Sequence, residues 1–232
     1  VVRRAVFERF GRLDEAYAPA YYEETDLCAK IWEAGLRVVY DPAVRVKHFE
    51  FASDVGSGRA IELQTRHRAH FIERNAAYIA QRPWPSVDAI LRARQRLAPG
   101  SLRVLIVDDR VPLPWMGQGY PRAASLVAAI VDEGHFVTHY PLQFPQEDWA
   151  DFWRALPERT EVMLDHGLGG LASFMAARAG LYDVLLVSRP HNMDVISALR
   201  RKQPEVFADL RVVYDAEALF SLRDIAKAGV LG

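Results

Sequence analysis

From residue 103 onward the chain alternates short apolar runs with longer stretches whose apolar residues recur every three or four positions. Val104 to Val107 form an uninterrupted apolar run that ends in Asp108, the pattern of a strand buried on both faces. Similar runs predict further strands at 136–140, 161–165, 183–188 and 210–215. Between them, Ala123, Val127, Ile130 and Val131 mark one face of a helix that Gly134 closes. A second helix is predicted over 146–156. A third carries Leu168, Leu171, Ala172, Met175 and Ala179 and stops at Gly180. A fourth follows His191, and a last one covers 217–228. Strand and helix in strict alternation imply right-handed crossovers and a parallel sheet covered on both faces. The expected class is therefore α/β, Rossmann-like over 102–232.

The first hundred residues show a weaker pattern. Residues 2–7 read as strand or helix. Residues 26–34 read as a short helix ended by Gly35. Strands are expected at 37–40 and 44–49 around an Asp41-Pro42 turn. A long helix is expected over 59–81 with Phe71, Ile72, Ala76, Tyr78 and Ile79 inward. Two strands and two helices bury little surface, so this unit is expected to be a remnant over 1–58. Pro83, Pro85, Pro99 and Gly100 punctuate an Arg-rich stretch, and 59–101 reads as helix plus linker.

Length and composition bound the reading. The 232 residues have room for one large domain or two small ones, with half hydrophobic and a quarter charged, as in a folded protein. Net charge is −1, which gives no reason to expect nucleic acid as a partner. The balance is uneven: the first hundred residues are net basic and the rest net acidic. A single cysteine, Cys28, excludes an internal disulfide and a Cys-rich zinc site. No apolar run reaches the length of a membrane span, and no signal-peptide pattern is present. The chain opens on Val1 and stops at Gly232 just after a helical pattern, so a fragment of a longer chain is expected.

The densest chemistry in the first unit lies in Asp14-Glu15, in the run Tyr21-Tyr22-Glu23-Glu24-Thr25-Asp26-Leu27-Cys28, and in the strand ending at His48. Carboxylates at a helix start have a plain structural reading as caps that complement the helix dipole. His48 has an equally plain reading as a satisfied polar residue. Taken in order, with Ala34-Gly35-Leu36-Arg37-Val38-Val39-Tyr40 between them, these motifs resemble the C-terminal part of inverting family 2 glycosyltransferases, over about residues 4–53. That resemblance implies a partial GT-A fold, a nucleotide-sugar donor and a divalent metal, Mn²⁺ or Mg²⁺. It implies that Glu24 or Asp26 is the general base that takes the acceptor hydroxyl's proton, with Asp14 and Glu15 on the acceptor side and His48 near the metal or diphosphate. The family's Asp-x-Asp motif has no counterpart in this sequence. The chain alone is therefore expected to bind a nucleotide-sugar poorly.

In the second unit, Gly117 and Gly119 interrupt the loop after the first strand. They let a backbone approach a ligand, or simply make a flexible turn. This is not a dinucleotide fingerprint, because the third glycine is missing. Asp165, His166, Ser188, Arg189, His191, Asn192, Asp215 and Glu217 all follow strands, at the edge where open parallel sheets bind ligands. The unit resembles the N-terminal Rossmann domain of family 4-type GT-B glycosyltransferases. The likeness rests on the two-glycine loop, Pro121-Arg122, the Gly134-His135 turn and the Tyr214-Asp215-x-Glu217 end. By that resemblance Gly117, Gly119, His191, Asp215 and Glu217 are acceptor-side residues.

Joined, the two resemblances imply a multi-domain glycosyltransferase of bacterial surface-polysaccharide synthesis. Its donor would be a nucleotide-sugar and its acceptor a glycan or lipid-linked saccharide. It would be cytoplasmic, at the inner face of the cell membrane, and the rest of its parent chain would be its partner. The Arg-rich stretch over 59–96 reads either as a contact with anionic lipid or as a solvated helix face plus a basic linker. Two rival expectations stand beside these: a non-catalytic Rossmann-like binding or scaffold module, and a nucleotide-dependent enzyme that seats a phosphate on the Gly117–Gly119 loop.

Overall fold

The computed structural model describes residues 2–39, 44–47, 57–87, 89–93, 95, 97–117 and 119–216. The chain divides into two compact units, 1–86 and 87–232, so the expected 59–101 helix and linker is shared between them.

Every regular element among the described residues of the first unit is a helix. The unit contains α1 (Arg4–Arg9), a 3₁₀ turn at Glu15–Tyr17, α2 (Glu23–Glu33), α3 (Ser57–Arg74) and α4 (Ala76–Ala80). In the ambiguous 2–7 segment, residues 4–7 are helix, the start of α1. The expected strands are corrected: residues 37–39 and 44–47 lie in no strand, and Val39 and Val46 are 71% and 82% exposed. A β-branched run makes a strand only where a partner chain supplies the ladder. The expected single helix over 59–81 breaks at Asn75. Its inward face is also corrected, because Ile72 and Ala76 are exposed while Ala60, Leu63, His67 and Asn75 are buried.

The second unit begins with α5 (Ile90–Ala93) and continues as the expected alternation. The elements are β1 (Arg103–Asp108), α6 (Tyr120–Asp132), β2 (Phe136–Pro141), α7 (Trp149–Ala155), β3 (Glu161–Val162), α8 (Gly167–Ala177), β4 (Val184–Ser188), α9 (Pro190–Lys202) and β5 (Arg211–Asp215). The third strand is shorter than its apolar pattern, and the expected helix over 217–228 lies outside the described residues. All five strands are parallel, in the order β3-β2-β1-β4-β5. This is a Rossmann-like α/β sheet.

Alternate residues of the central strands feed two cores. Leu105 and Val107 of β1, with Leu185 and Val187 of β4, pack against Leu171, Phe174 and Ile196 from α8 and α9. Val104 and Ile106, with Val137 of β2, pack against Val127, Val131 and Phe152 from α6 and α7. Both faces of the central strands β1, β2 and β4 are therefore dry, which is why β1 and β4 read as continuous apolar runs, while Val213 and Tyr214 of the edge strand β5 stay exposed. Pro121 and Pro190 sit in the first turns of α6 and α9, where a missing N–H costs nothing. Strand order reverses between β1 and β4, which opens a crevice beyond their C-terminal ends.

Candidate functional site

A polar cluster fills that switch point. Asp108 ends β1 with 2% of its surface exposed, and its Oδ1 accepts from Arg189 Nε at 3.0 Å and from the Asp109 backbone N–H at 2.7 Å. Burial pushes the Asp108 carboxyl up to about 6, although the Asp109 N–H and the Arg189 guanidinium both pull against it. Asp109 lies just outside the strand, also buried. Its Oδ1 accepts from His191 Nε2 at 2.6 Å and from Asn192 Nδ2 at 2.8 Å. Arg189 Nε stands 3.3 Å from its Oδ2.

The partners come from the start of α9. Arg189 precedes that helix with φ +75°, a conformation that side-chain-bearing residues rarely adopt. It is held there by Asp108 and by stacking over the Tyr120 ring, 5.3 Å from the centroid. Asn192 is fully buried, donates to Ser188 O at 3.0 Å and accepts from Gln143 Nε2 at 3.2 Å. His191 differs from its neighbours because its side chain is 52% exposed. With Nε2 donating to Asp109, Nδ1 carries the lone pair. Among the described residues Nδ1 has no hydrogen-bond partner.

Gly117 and Gly119 lie on the same edge, in the loop from β1 to α6. Gly117 has φ +71° and ψ −154°, a region open essentially to glycine alone, and a Cβ added there would meet nothing within 4 Å. Gly119 stands immediately before α6. Asp215 ends β5 and is taken up by a two-pronged bond from Arg122, at 2.8 and 3.1 Å. Glu217 lies outside the described residues. Asp165 and His166 follow β3, which β2 separates from β1.

The first unit spreads its candidates apart. Glu24 and Asp26 are two residues apart on α2, about 200° around the helix axis. Glu24 is exposed. Asp26 is 1% exposed, and its Oδ1 accepts from Tyr17 OH at 3.3 Å and Asn75 Nδ2 at 3.1 Å, while Lys30 Nζ lies 2.5 Å from Oδ2. The Tyr17 hydroxyl is pushed up to about 12 by burial and by the Asp26 charge. Asp26 thus ties α2 to the end of α3, with a carboxylate shut off from solvent. Asp14 caps the 3₁₀ turn through the Ala16 N–H and pairs with Arg74 at 2.5 Å. That N–H outweighs the partial burial of Asp14 and, with Arg74, holds its carboxyl below the usual range. Glu15 is exposed. His48 lies outside the described residues. Among the described residues no group of three His, Cys, Asp or Glu side chains is placed to hold a metal ion, so they do not by themselves fit the expected Mn²⁺ or Mg²⁺. No described helix is long and apolar enough to cross a membrane.

Sequence reasoning reached Arg189, His191, Asn192 and the two glycines and passed over Asp109 and Gln143. The signal was an Asp-Asp pair closing one strand and Arg-x-His-Asn closing another. Only the pairing of β1 with β4 makes them neighbours. No protein-family model, curated protein or solved structure matches the chain. The functional reading therefore rests on the site's own chemistry. That chemistry is a half-exposed imidazole oriented by a buried carboxylate, beside an open glycine loop.

Proposed function

We propose that the chain carries part of a glycosyltransferase that moves a sugar from a nucleotide-sugar to a saccharide acceptor, and that the second unit holds that acceptor in the β1/β4 crevice. The Asp109–His191 pair is the observation that carries the reading. An acceptor hydroxyl meeting His191 Nδ1 donates its hydrogen bond there. As its oxygen bonds to C1 of the donor sugar and the C1–diphosphate bond breaks, the proton passes to the imidazole, and Asp109 offsets the new charge. Asp109 is itself held by Asn192 and Arg189, so the ring is oriented before the ligand arrives. In the first unit, the order of motifs supports the same chemistry, and Glu24 is the member of its pair that is open to solvent.

The test is a titration of the isotopically labelled chain with methyl glycosides of neutral hexoses, followed by NMR. Shifts are expected at Gly117, Gly119 and His191, and Asp109→Asn should abolish them while Glu24→Gln leaves them in place. Shifts at the glycines with inorganic phosphate, and none with any glycoside, would replace this reading with a phosphate-binding one.

A further inference from the structure

Beside the crevice the second unit exposes aromatic surface that its core does not use. Three of the chain's five tryptophans lie here. Trp115 is 47% exposed, Trp149 and Trp153 are each 52% exposed, and Phe144 is 55% exposed. Large flat side chains left in water in one neighbourhood mark a binding surface more often than scattered single residues do. Trp149 and Trp153, one turn apart on α7, lie at 30° with centroids 6.4 Å apart. Arg154 lies over Trp115 at 4.0 Å, which joins α7 to the loop that leads into Gly117. Arg110 lies over Phe144 at 5.3 Å, and the Phe144 N–H donates to the Asp109 carbonyl at 2.8 Å. The aromatic surface is thus continuous with the loops that build the site.

Charge selects the occupant. Arg110 is paired with Glu147 at 2.5 Å and Arg154 with Asp151 at 3.0 Å, and Asp148 adds a further carboxylate at the start of α7. A surface whose cations are already matched, with an acid to spare, repels phosphate and anionic lipid. It suits a neutral ligand with flat apolar faces and hydroxyl edges. Such faces stack on indole rings, while carboxylates and indole N–H groups take the hydroxyls.

We infer that Trp115, Trp149 and Trp153 form a stacking shelf for the further sugar rings of a neutral oligosaccharide whose end lies in the β1/β4 crevice. This rests on the crevice being a saccharide site, and it narrows the acceptor from glycan or lipid-linked saccharide to an extended uncharged glycan chain.

The test compares binding of neutral hexasaccharides (maltohexaose, cellohexaose, mannohexaose and chitohexaose) with that of their methyl monosaccharides, by calorimetry and tryptophan fluorescence on the whole chain. At least one hexasaccharide should bind about tenfold tighter than its monosaccharide. Trp149→Ala and Trp153→Ala should each remove most of that gain and leave monosaccharide affinity unchanged. Trp153→Leu keeps apolar bulk without the flat face and should lose the gain too, and it serves if an alanine variant unfolds. A length-independent affinity, or a gain indifferent to all three substitutions, overturns the shelf while monosaccharide binding keeps the crevice. Absence of binding by any saccharide overturns both. Tryptophan-dependent association with phosphatidylcholine–phosphatidylglycerol vesicles, or tryptophan-dependent dimerisation, without a hexasaccharide gain assigns the surface to lipid or to a second copy and also overturns it.

Discussion

His139 and Asp108 stand on paired strands, β2 and β1, and their protons pull stability in opposite directions. His139 is 1% exposed, its Nδ1 is buried without a partner, and burial brings its pKa down from 6.5 to about 4. Between those values the unfolded chain takes a proton that the folded chain refuses. Stability is therefore whole above pH 6.5 and drains away as pH falls towards 4, by about 3 kcal/mol. Asp108 behaves inversely. Burial raises its pKa from 3.8 to about 6, so the folded chain keeps a proton that the unfolded chain has shed. Its contribution is lost as pH rises through that window, again by about 3 kcal/mol. The two slopes nearly cancel between pH 4 and 6, and urea unfolding of the native chain should show a shallow dependence there. His139→Leu should uncover the Asp108 slope, with stability falling as pH rises from 4 to 6. Asp108→Asn should uncover the His139 slope, with stability rising up to pH 6.5. Parallel pH profiles for both variants would contradict the assignment.

At the scale of the element, α3 shows why hydrophobic periodicity reached some helices and not others. On α6 the buried positions Ala124, Val127 and Val131 are apolar, so the pattern and the packing agree. On α3 the buried face includes His67, which meets the carbonyls of Ala20 and Tyr21 at 2.9 and 3.2 Å, and it ends at Asn75. A polar seam is invisible to a search for apolar stripes, and so the expected inward set missed His67 and Asn75 and took in the exposed Ile72 and Ala76 beside the half-buried Phe71, Tyr78 and Ile79. The same logic hid the role of Asp26, whose place at a helix start fits a cap or a base equally well until Asn75 is seen to reach it from 49 residues away. The seam makes a sharp prediction. Asn75→Asp sets a second carboxylate against the buried Asp26, and like charges there resist ionising together. At neutral pH the first unit should lose about 3 kcal/mol, with faster amide exchange across α2 and the end of α3. Much of the loss should return at pH 4, where the added group takes up a proton. A pH-independent loss would instead mean that Asn75 matters for its shape or for its bond to Phe71 O.

Across the whole molecule, legibility follows burial. The central strands of the second unit are dry on both faces, so each announces itself as an apolar run, and the five-strand alternation was readable from the sequence alone. Strand order is not written in β1 or β4 themselves; it follows only from the Rossmann-like class, whose usual order sets the first and fourth strands side by side, and the switch-point cluster depends on that. In the first unit the error ran the other way. Val38, Val39, Val44 and Val46 carry the composition of strands, yet they lie in no strand, and all four are exposed. A β-branched run is thus not by itself a sufficient sign of a buried sheet. The distinction can be weighed by one substitution made in both places. Val→Thr keeps shape and β-propensity and exchanges a methyl for a hydroxyl, so its cost measures burial and little else. Val107 of β1 has no exposed surface, and Val107→Thr should cost about 2 kcal/mol in urea unfolding, because its hydroxyl enters a core without a partner. Val39→Thr and Val46→Thr together should cost no more than about 0.5 kcal/mol and should reduce aggregation on concentration. If the surface pair costs as much as the core residue, those valines are covered in solution, and the sequence pattern was reporting a real sheet or interface after all.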